Sequence, residues 1–217
     1  MVGICGLISS GKGECARKLV EEHGFTRISF GERLKDTVAV LFGWPRALLE
    51  GDTDASRQWR EQPTDWVVQG RALTPRDVLQ MIGTQALRNN FDPDIWTEVV
   101  RRRVRDAPDT NFVIDDVRFP NEIQAVREMQ GGTLWHVRRS AMPPWWARAL
   151  ELNAAAAAPG APAPDPNAVR DEQGTPIHIS EWAWARPDDA FDAVILNDAD
   201  LAALRSRVAA ALARGIQ

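Results

Sequence analysis

The most constraining feature of this sequence is a glycine-rich stretch close to its first residue. Residues 6–13 read Gly-Leu-Ile-Ser-Ser-Gly-Lys-Gly, which has the G-x-x-x-x-G-K spacing of a phosphate-binding loop. The stretch lies between a short apolar run, Val2 to Leu7, and a helical pattern over residues 14–23. In that setting the backbone amides surround a phosphate, the helix N-terminus adds partial positive charge, and Lys12 reaches the β- and γ-phosphates. The motif therefore predicts a nucleoside triphosphate site.

Apolar runs and helical patterns alternate along the rest of the chain. With the glycine-rich loop, this alternation predicts a three-layer α/β/α P-loop NTPase fold with a mostly parallel sheet, whose ligands bind at the carboxyl ends of the strands. Thr74 is the predicted N-cap of one helix, with Asp77 as its capping-box acid. Residues 43–73 are interpreted as irregular. The predicted strands are Val2 to Leu7 and residues 25–30, 111–117, 133–137 and 191–196, and the predicted helices are residues 14–23, 31–42, 74–87, 93–105, 121–130 and 200–214.

One position of the loop departs from the usual pattern. The lysine is normally followed by Ser or Thr, whose hydroxyl contacts Mg²⁺, but here Gly13 and then Glu14 follow it. A metal bound with the nucleotide would therefore be held through water, by Glu14, or by Asp115 or Asp116. These alternatives stay open on the sequence alone.

A second group of polar side chains follows the most apolar strand. Residues 112–114 are Phe-Val-Ile, and Asp115, Asp116 and Arg118 come directly afterwards. Such a strand end lies beside the phosphate loop, where a carboxylate can orient Mg²⁺ or an arginine, and a guanidinium can bind an oxyanion through two N–H groups. The segment therefore predicts the second half of the site.

Composition limits the class of partner. The chain has 26 basic and 30 acidic residues, and its formal net charge of -4 argues against a dedicated nucleic-acid binder. Cys5 and Cys15 cannot form a disulfide framework, which favours a reducing cytoplasm. No apolar run approaches the length of a membrane span, and the first residues lack the pattern of a signal peptide. We therefore expect a cytoplasmic protein, in the host cell if the source is viral.

Four stretches resemble the deoxynucleoside monophosphate kinases of tailed bacteriophages, a branch of the P-loop monophosphate kinases. Together they span nearly the whole chain in the order found in that family. The resemblance rests on Ser10-Gly11-Lys12; on Arg76 to Thr84 with Asn89 to Asp92 and Trp96; on Asp116-Val117-Arg118 with Glu122, Gly132 and His136 to Arg138; and on His178-Ile179-Ser180-Glu181 with Asn197-Asp198 and Leu201.

The resemblance implies ATP-dependent phosphorylation of a deoxynucleoside 5′-monophosphate to the diphosphate, with Mg²⁺ as cofactor. It implies catalytic roles for Lys12, Arg118, Asp116 and Arg138, and tentative metal binding by Asp115 and Asp116. The implied ATP-binding residues are Gly6, Ser9, Ser10, Gly11, Lys12, Gly13, Glu14 and Asn197. The implied acceptor-binding residues are Lys35, Arg76, Gln80, Thr84, Arg88, Trp96, Arg118 and Glu122.

Individual roles follow from the same resemblance. Lys35, Arg76 and Arg118 would hold the acceptor phosphate, and Gln80 and Trp96 would contact the base or sugar. Asp116 and Glu122 would orient the arginines or hold metal. His178 is interpreted as the cap of a turn rather than as a general base. A homodimer is also expected, because family members often dimerise.

The predicted domain is single, with a core of residues 1–30, 107–140 and 185–217. Residues 31–106 would bind the monophosphate, and residues 141–180 would form a lid over the donor. Residues 141–176 are rich in alanine and proline, and 159–166 read as a flexible linker. The segment is either a working lid or a disordered loop, and Trp145 and Trp146 would pack it on the core or form a dimer contact.

Two other functions are compatible with the loop. One is a P-loop kinase of another small molecule, such as dephospho-coenzyme A. The other is a nucleotide-binding protein without transfer activity, which the Gly13-Glu14 departure favours.

Overall fold

The computed structural model describes residues 1–139 and 141–215, which form two compact units. The first unit combines Met1–Ile28 with the chain from Val104 onward, and the second is Ser29–Arg103. Seven strands are found in the described residues: β1 (Val2–Cys5), β2 (Thr26–Ile28), β3 (Val67–Val68), β4 (Arg71–Ala72), β5 (Phe112–Ile114), β6 (Thr133–Arg138) and β7 (Ala193–Leu196).

Eight α-helices accompany these strands in the same described ranges. They are α1 (Lys12–His23), α2 (Glu32–Phe42), α3 (Asp54–Arg60), α4 (Pro75–Gln80), α5 (Ile95–Arg105), α6 (Pro120–Glu128), α7 (Trp146–Ala156) and α8 (Leu201–Gly215). A π-helix, Met81–Arg88, continues α4, and short 3₁₀ turns cover Arg46–Leu49, Ile179–Glu181 and Asp188–Ala190.

The first unit is built on a five-stranded sheet with the order β2-β5-β1-β6-β7. Every neighbouring pair is parallel, and β1 lies in the centre, where Val2 pairs with Val113 on one side and Thr133 on the other. Because β1 is central, the loop that follows it opens at the carboxyl edge of the sheet, where ligands bind in such folds.

Helices cover both faces of this sheet. On one face, Ile4 of β1 packs in a buried cluster with Leu19 of α1 and Val208 of α8. On the other face α6 approaches so closely that a Cβ at Gly3 would lie 2.8 Å from Cγ2 of Val126. This α/β/α layering confirms the predicted fold class.

The second unit has its own apolar cluster of buried Val38, Leu49, Leu73, Val78 and Leu79. Thr74 and Asp77 form the predicted capping box at the start of α4. The prediction that residues 43–73 are irregular is wrong, since they contain α3 and the β3–β4 hairpin.

Helix capping explains α3, and backbone conformation in the turn explains the β3–β4 hairpin. Thr53 and Ser56 cap α3 reciprocally. Gln69 and Gly70 both have positive φ, 51° and 77°, in the two-residue hairpin turn between β3 and β4.

Within the predicted lid, residues 146–156 form α7, which the sequence analysis did not predict. Ala149 of α7 is buried with Val169, Trp182 and Ala185 in a separate apolar cluster. Trp146 lies against the ring of His136 in β6, with centroids 5.9 Å apart. The segment therefore packs on the core through Trp146, which is one of the two arrangements predicted for Trp145 and Trp146. Residues 159–166 contain no helix or strand.

In the described part of the chain, no helix combines the length and apolar character needed to cross a membrane.

Candidate active site

The phosphate loop joins β1 to α1 and is held from the outside by close backbone approaches. A Cβ at Gly6 would lie 2.3 Å from the carbonyl oxygen of Val137, and φ of Gly11 is 106°. Asn197, after β7, donates from Nδ2 to the carbonyl of Ser10 at 2.9 Å. The predicted glycines are thus required by geometry, and Asn197 supports the loop rather than pointing away from it.

Lys12, the first residue of α1, is bonded to the loop itself. Its Nζ donates to the carbonyl oxygens of Gly6 and Leu7, each at 2.7 Å. Burial, followed by the nearby charge of Arg118, lowers the pKa of Lys12 to about 8, while Glu181 and Asp115 act in the opposite direction. The ammonium therefore lies in a partly desolvated, positively charged place that favours an anionic ligand.

Asp115 directly follows β5, next to the start of α1. Its buried carboxylate accepts from Arg27, with Nε at 3.0 Å and Nη2 at 2.8 Å. Burial raises the pKa of Asp115, the charge of Asp116 adds to the rise, and Arg27 opposes it. A Cβ at Gly13 would lie 3.7 Å from Oδ2 of Asp115. The carboxylate thus faces the position where other phosphate loops carry a hydroxyl.

Glu14 faces a different way. Its carboxylate pairs with Arg17 at 2.7 Å and with Arg205 of α8 at 2.9 Å, which ties α1 to α8. Both oxygens of Glu14 are thus paired with arginines, one in α1 and one in α8, and its roles as a metal ligand and as an ATP contact stay predictions from the sequence. Within residues 1–139 and 141–215, no group of three or more His, Cys, Asp or Glu residues could hold a metal ion.

This donor set still fits Mg²⁺. Mg²⁺ usually takes one or two protein carboxylates and completes its shell with waters and nucleotide phosphates. Asp115 beside Gly13 supplies one such carboxylate, and Asp116 follows it in the chain.

Arg118 is held at its backbone and at its guanidinium by two different glutamates. The buried Glu122 accepts from the backbone N–H groups of Arg118 at 2.7 Å and of Phe119 at 3.1 Å. At the other end, Nη1 of Arg118 donates to Oε1 of Glu181 at 2.5 Å. Glu122 is therefore a backbone cap at the start of α6, and its prediction as a direct acceptor contact is wrong.

Two arginines, one at the end of β6 and one directly after it, complete the surroundings of the loop. Nη2 of Arg138 donates to Asp188 at 2.9 Å, and Nε of Arg139 donates to the carbonyl of Ser9 at 3.0 Å. A cavity of about 400 Å³ opens here, lined by Leu7, Ile8, Ser10, Arg138, Arg139, Ala141, Met142 and Pro143. The cavity joins the loop to the beginning of the predicted lid, and Arg138 enters it already paired with a carboxylate.

The remaining predicted acceptor residues belong to the second unit. Lys35 donates to Oε2 of Glu50 at 2.6 Å, and Arg76 pairs with Glu61. Gln80, Thr84 and Arg88 recur every four residues along α4 and its π-helical continuation, and all three are half-buried.

Trp96 is not available to a ligand. It is buried, and its Nε1 donates to the carbonyl of Gly83 at 3.0 Å, inside the second unit. The prediction that Trp96 contacts the base or sugar is therefore wrong. Its indole supports the π-helix.

The family model described as deoxynucleotide monophosphate kinase matches residues 50–144. The putative deoxynucleotide monophosphate kinase of Acanthamoeba polyphaga mimivirus is 32% identical over 143 residues, which cover 60% of this chain and 70% of that protein. The chain belongs to the deoxynucleotide monophosphate kinase family. As a member of this family it is an enzyme, a kinase of nucleotide metabolism that uses ATP.

Two further similarities accompany this membership. The deoxynucleoside-5′-monophosphate kinase of Escherichia phage T5 is 40% identical over 57 residues, covering 26% of this chain and 22% of that protein. The crystal structure of TT1252 from Thermus thermophilus aligns over 98% of this chain and 95% of its own, with a TM-score of 0.44 and 17% identity. The resemblance to phage deoxynucleoside monophosphate kinases is confirmed by the family match and the two viral kinases.

Several residues of this kinase site were not assigned from the sequence. Arg27 lies in a short edge strand with no motif around it, so its pairing with Asp115 had no sequence signal. Asp188, which pairs with both His136 and Arg138, lies in an ordinary acidic turn. Glu181 belongs to the quoted His-x-Ser-Glu element, which was a usable signal, but its partner could not be identified without the fold.

Proposed function

We propose that this enzyme transfers the γ-phosphoryl group of ATP to the 5′-phosphate of a deoxynucleoside monophosphate, yielding ADP and a deoxynucleoside diphosphate. The observation that carries the proposal is the state of Lys12. Its ammonium is held by two neutral carbonyls beside Arg118, at the N-terminus of α1. Among residues 1–139 and 141–215, no carboxylate is bonded to this lysine, and such a cationic site suits the phosphates of a donor nucleotide.

Donor binding follows from the loop. Backbone amides of residues 6–13 would bind the β- and γ-phosphates, and Lys12 would exchange its carbonyl acceptors for phosphate oxygens. Phosphoryl transfer depends mainly on positioning and on charge stabilisation. Lys12 and Arg118 would supply this stabilisation as negative charge develops on the oxygens of the transferred group.

Mg²⁺ is part of the proposal as the usual partner of ATP. Asp115 would hold it directly or through water near Gly13, and Asp116 is the second carboxylate. The ion would neutralise phosphate charge and help align the donor.

Acceptor binding is proposed for the second unit. Lys35 and Arg76 would contact the acceptor phosphate, and Gln80, Thr84 and Arg88 share one helical segment that would contact its sugar or base. Arg118, in the first unit, would contact the transferred phosphoryl group.

The segment 141–180 would act as a lid. Arg138 and Arg139 lie at its base beside the phosphate loop, and its closure would exclude water and limit hydrolysis of ATP. We further propose a homodimer without direct nucleic-acid binding, working in the cytoplasm.

The direct test is a coupled assay of ADP formation with ATP, Mg²⁺ and a panel of natural and modified deoxynucleoside and nucleoside monophosphates. We expect turnover that depends on the added monophosphate. Lys12→Ala should abolish it, whereas Lys18→Ala, which removes the α1 lysine paired with Glu22, serves as the control outside the loop.

Other outcomes separate the alternatives. Turnover with dephospho-coenzyme A and with none of the monophosphates would assign a different acceptor. Binding of ATP without transfer to any acceptor would indicate a nucleotide-binding protein.

A further inference from the structure

The guanidinium of Arg118 is oriented by a short turn far away in the chain. We propose that the turn Ile179–Glu181, capped by His178, positions Arg118 for phosphate binding, with Glu181 and His178 as positioning residues. The reaction in which Arg118 takes part is the proposed function, on which this inference rests.

The contacts leave little freedom to the end of the Arg118 side chain. Nη1 donates to Oε1 of Glu181 at 2.5 Å and to the carbonyl of Ser180 at 3.4 Å. The backbone N–H of Arg118 is bound by Glu122, so both ends of the residue are fixed. Arg118 and Glu181 are also the two charged side chains with the largest influence on the Lys12 pKa. The turn therefore influences the electrostatic environment of Lys12, where the donor phosphates are proposed to bind.

The same contacts leave one edge of the guanidinium available. Neither Nε nor Nη2 of Arg118 donates to any residue in the described part of the chain, whereas both hydrogens of Nη1 have acceptors. The Nε–Nη2 edge is the side of an arginine that can bind two oxygens of one phosphate. Glu181 thus accepts from Nη1, which takes no part in two-point phosphate binding, and this hydrogen bond orients Nε and Nη2 for a phosphate.

His178 shapes the turn that carries Glu181. Its Nδ1 accepts from the backbone N–H of Ser180 at 3.3 Å and lies 2.8 Å from Oγ of Ser180. A nitrogen that accepts a backbone hydrogen bond carries no proton, so the cap requires a neutral imidazole. Without this cap, the N–H of Ser180 loses its partner and Glu181 loses its fixed approach to Arg118.

The cap should make Arg118 positioning sensitive to acid. Burial lowers the pKa of His178, Arg118 lowers it further and Glu181 raises it, and these are the charged groups that act on the ring. Since burial favours the neutral ring, the cap is intact at neutral pH and is lost as the pH falls through the lowered pKa of His178.

The decisive experiment is a double-mutant cycle with Arg118→Ala, Glu181→Ala and the double variant. Each is measured for kcat and KM in the coupled assay and for ATP affinity by calorimetry. We expect Glu181→Ala to reduce kcat/KM by about 10²-fold, the effect of a misplaced group of about 1 Å. Because Glu181 acts through Arg118, the double variant should be no worse than Arg118→Ala alone. Multiplying losses would overturn the inference.

A second pair of variants tests the cap. Asn places an oxygen where His178 has Nδ1, whereas Gln places it nearer Nε2. His178→Asn should therefore keep at least a third of wild-type kcat/KM, and His178→Gln should resemble Glu181→Ala. The acid limb should be weaker in His178→Asn than in wild type with the same substrate, which separates it from titration of the substrate phosphate. Equal losses in the Asn and Gln variants, or an unchanged acid limb, would contradict the cap.

Failure of this inference is distinguishable from failure of the proposed function. If wild type binds ATP but phosphorylates no monophosphate, the kinase proposal fails while the cycle on ATP affinity still measures coupling between Arg118 and Glu181. If wild type is an active kinase and the cycle is additive in both measurements, the kinase proposal stands and the positioning role is wrong. Thermal unfolding of each variant identifies a loss of fold, and Glu181→Gln replaces Glu181→Ala where that occurs.

Discussion

The phosphate loop and the α2 region hold their lysines in opposite ways. Lys12 donates to the neutral carbonyls of Gly6 and Leu7, whereas Lys35 donates to the carboxylate of Glu50, which also pairs with Arg46. A phosphate can replace carbonyl oxygens without breaking an ion pair. At Lys35, it must displace a carboxylate or share the lysine with it. The first lysine therefore has neutral acceptors that an anion can replace, while the charge of the second is already neutralised by a carboxylate.

The largest expected effect separates the two lysines directly. Lys12→Met should lower kcat by about 10²–10³-fold, the usual cost of removing one group that stabilises transition-state charge. Lys35→Met should mainly raise KM for the monophosphate, because it removes a contact that the acceptor makes before and during transfer. Steady-state kinetics with both substrates varied provide the measurement. The comparison breaks if both variants lose kcat equally.

A pH titration of ATP binding sharpens the same contrast. Because the pKa of Lys12 is lowered to about 8, its ammonium is lost from the free enzyme above that pH. The Kd for ATP should be flat up to about pH 8 and then rise by up to about tenfold per pH unit. Lys12→Arg, which stays protonated throughout, should show no such rise when measured by calorimetry.

The lowered pKa of Lys12 weakens ATP binding as the pH rises, but it increases the free energy of unfolding over the same pH range. In the absence of nucleotide the unfolded chain keeps the Lys12 proton up to the ordinary lysine pKa of 10.5, but burial lowers the pKa in the folded chain to about 8. The unfolded state therefore binds more protons in that window, and the contribution of Lys12 to the free energy of unfolding rises with pH. Denaturant unfolding of wild type and Lys12→Met is measured at about pH 7.5, below this window, and at about pH 9.5, within it, and the two changes in the free energy of unfolding are compared.

Removing the carboxylate from the second region should give a smaller change. Glu50→Gln leaves Lys35 and Arg46 without their shared anion, so KM for the monophosphate should fall by about three- to tenfold, as an ion-pair competitor of about 1 kcal/mol is removed. Asp36→Asn, which weakens the pairs of Asp36 with Arg46 and Arg33 but leaves the Lys35–Glu50 pair in place, is the matched control. A rise in KM for Glu50→Gln would instead show that Glu50 holds Lys35 in its binding position.

The smallest effect on catalysis is expected at Trp96. Trp96→Phe deletes the hydrogen bond to Gly83 and part of a buried side chain, so stability should fall by about 1–3 kcal/mol. Both KM values should stay within about twofold, since the indole is buried away from ligand. Trp66→Phe, at a residue that is half exposed, is the control for denaturant unfolding. A selective rise in KM for the monophosphate would return Trp96 to the acceptor site.

The sequence predicted the features that depend on neighbouring residues. The phosphate loop, the Thr74–Asp77 cap and the alternation of strands and helices are local patterns, and the structure contains all of them. The pairing of Arg118 with Glu181 spans 63 positions, and that of Arg27 with Asp115 spans 88, so no local pattern could indicate either contact. These long-range pairs decide which charges remain available to a ligand.

Aromatic and acidic residues were harder to interpret for a related reason. An aromatic residue such as Trp96 gives the same sequence pattern whether it supports a helix or contacts a base, and only its burial decides. Glu14 follows the loop lysine so closely that a nucleotide role was plausible, yet the helical turn carries its side chain towards Arg205. A well-defined sequence motif therefore does not predict the role of the residue that follows it.

The central position of β1 has a consequence for the order in which this protein acquires activity during synthesis. The ribosome makes β1 first, but its partners β5 and β6 emerge only after the whole of the second unit. That unit has its own apolar cluster and can begin to collapse while β1 is still unpaired. The phosphate loop is completed later still, because Asn197 can donate its hydrogen bond to Ser10 only after β7 is made. Nucleotide binding should thus be gained only after β7 has been made.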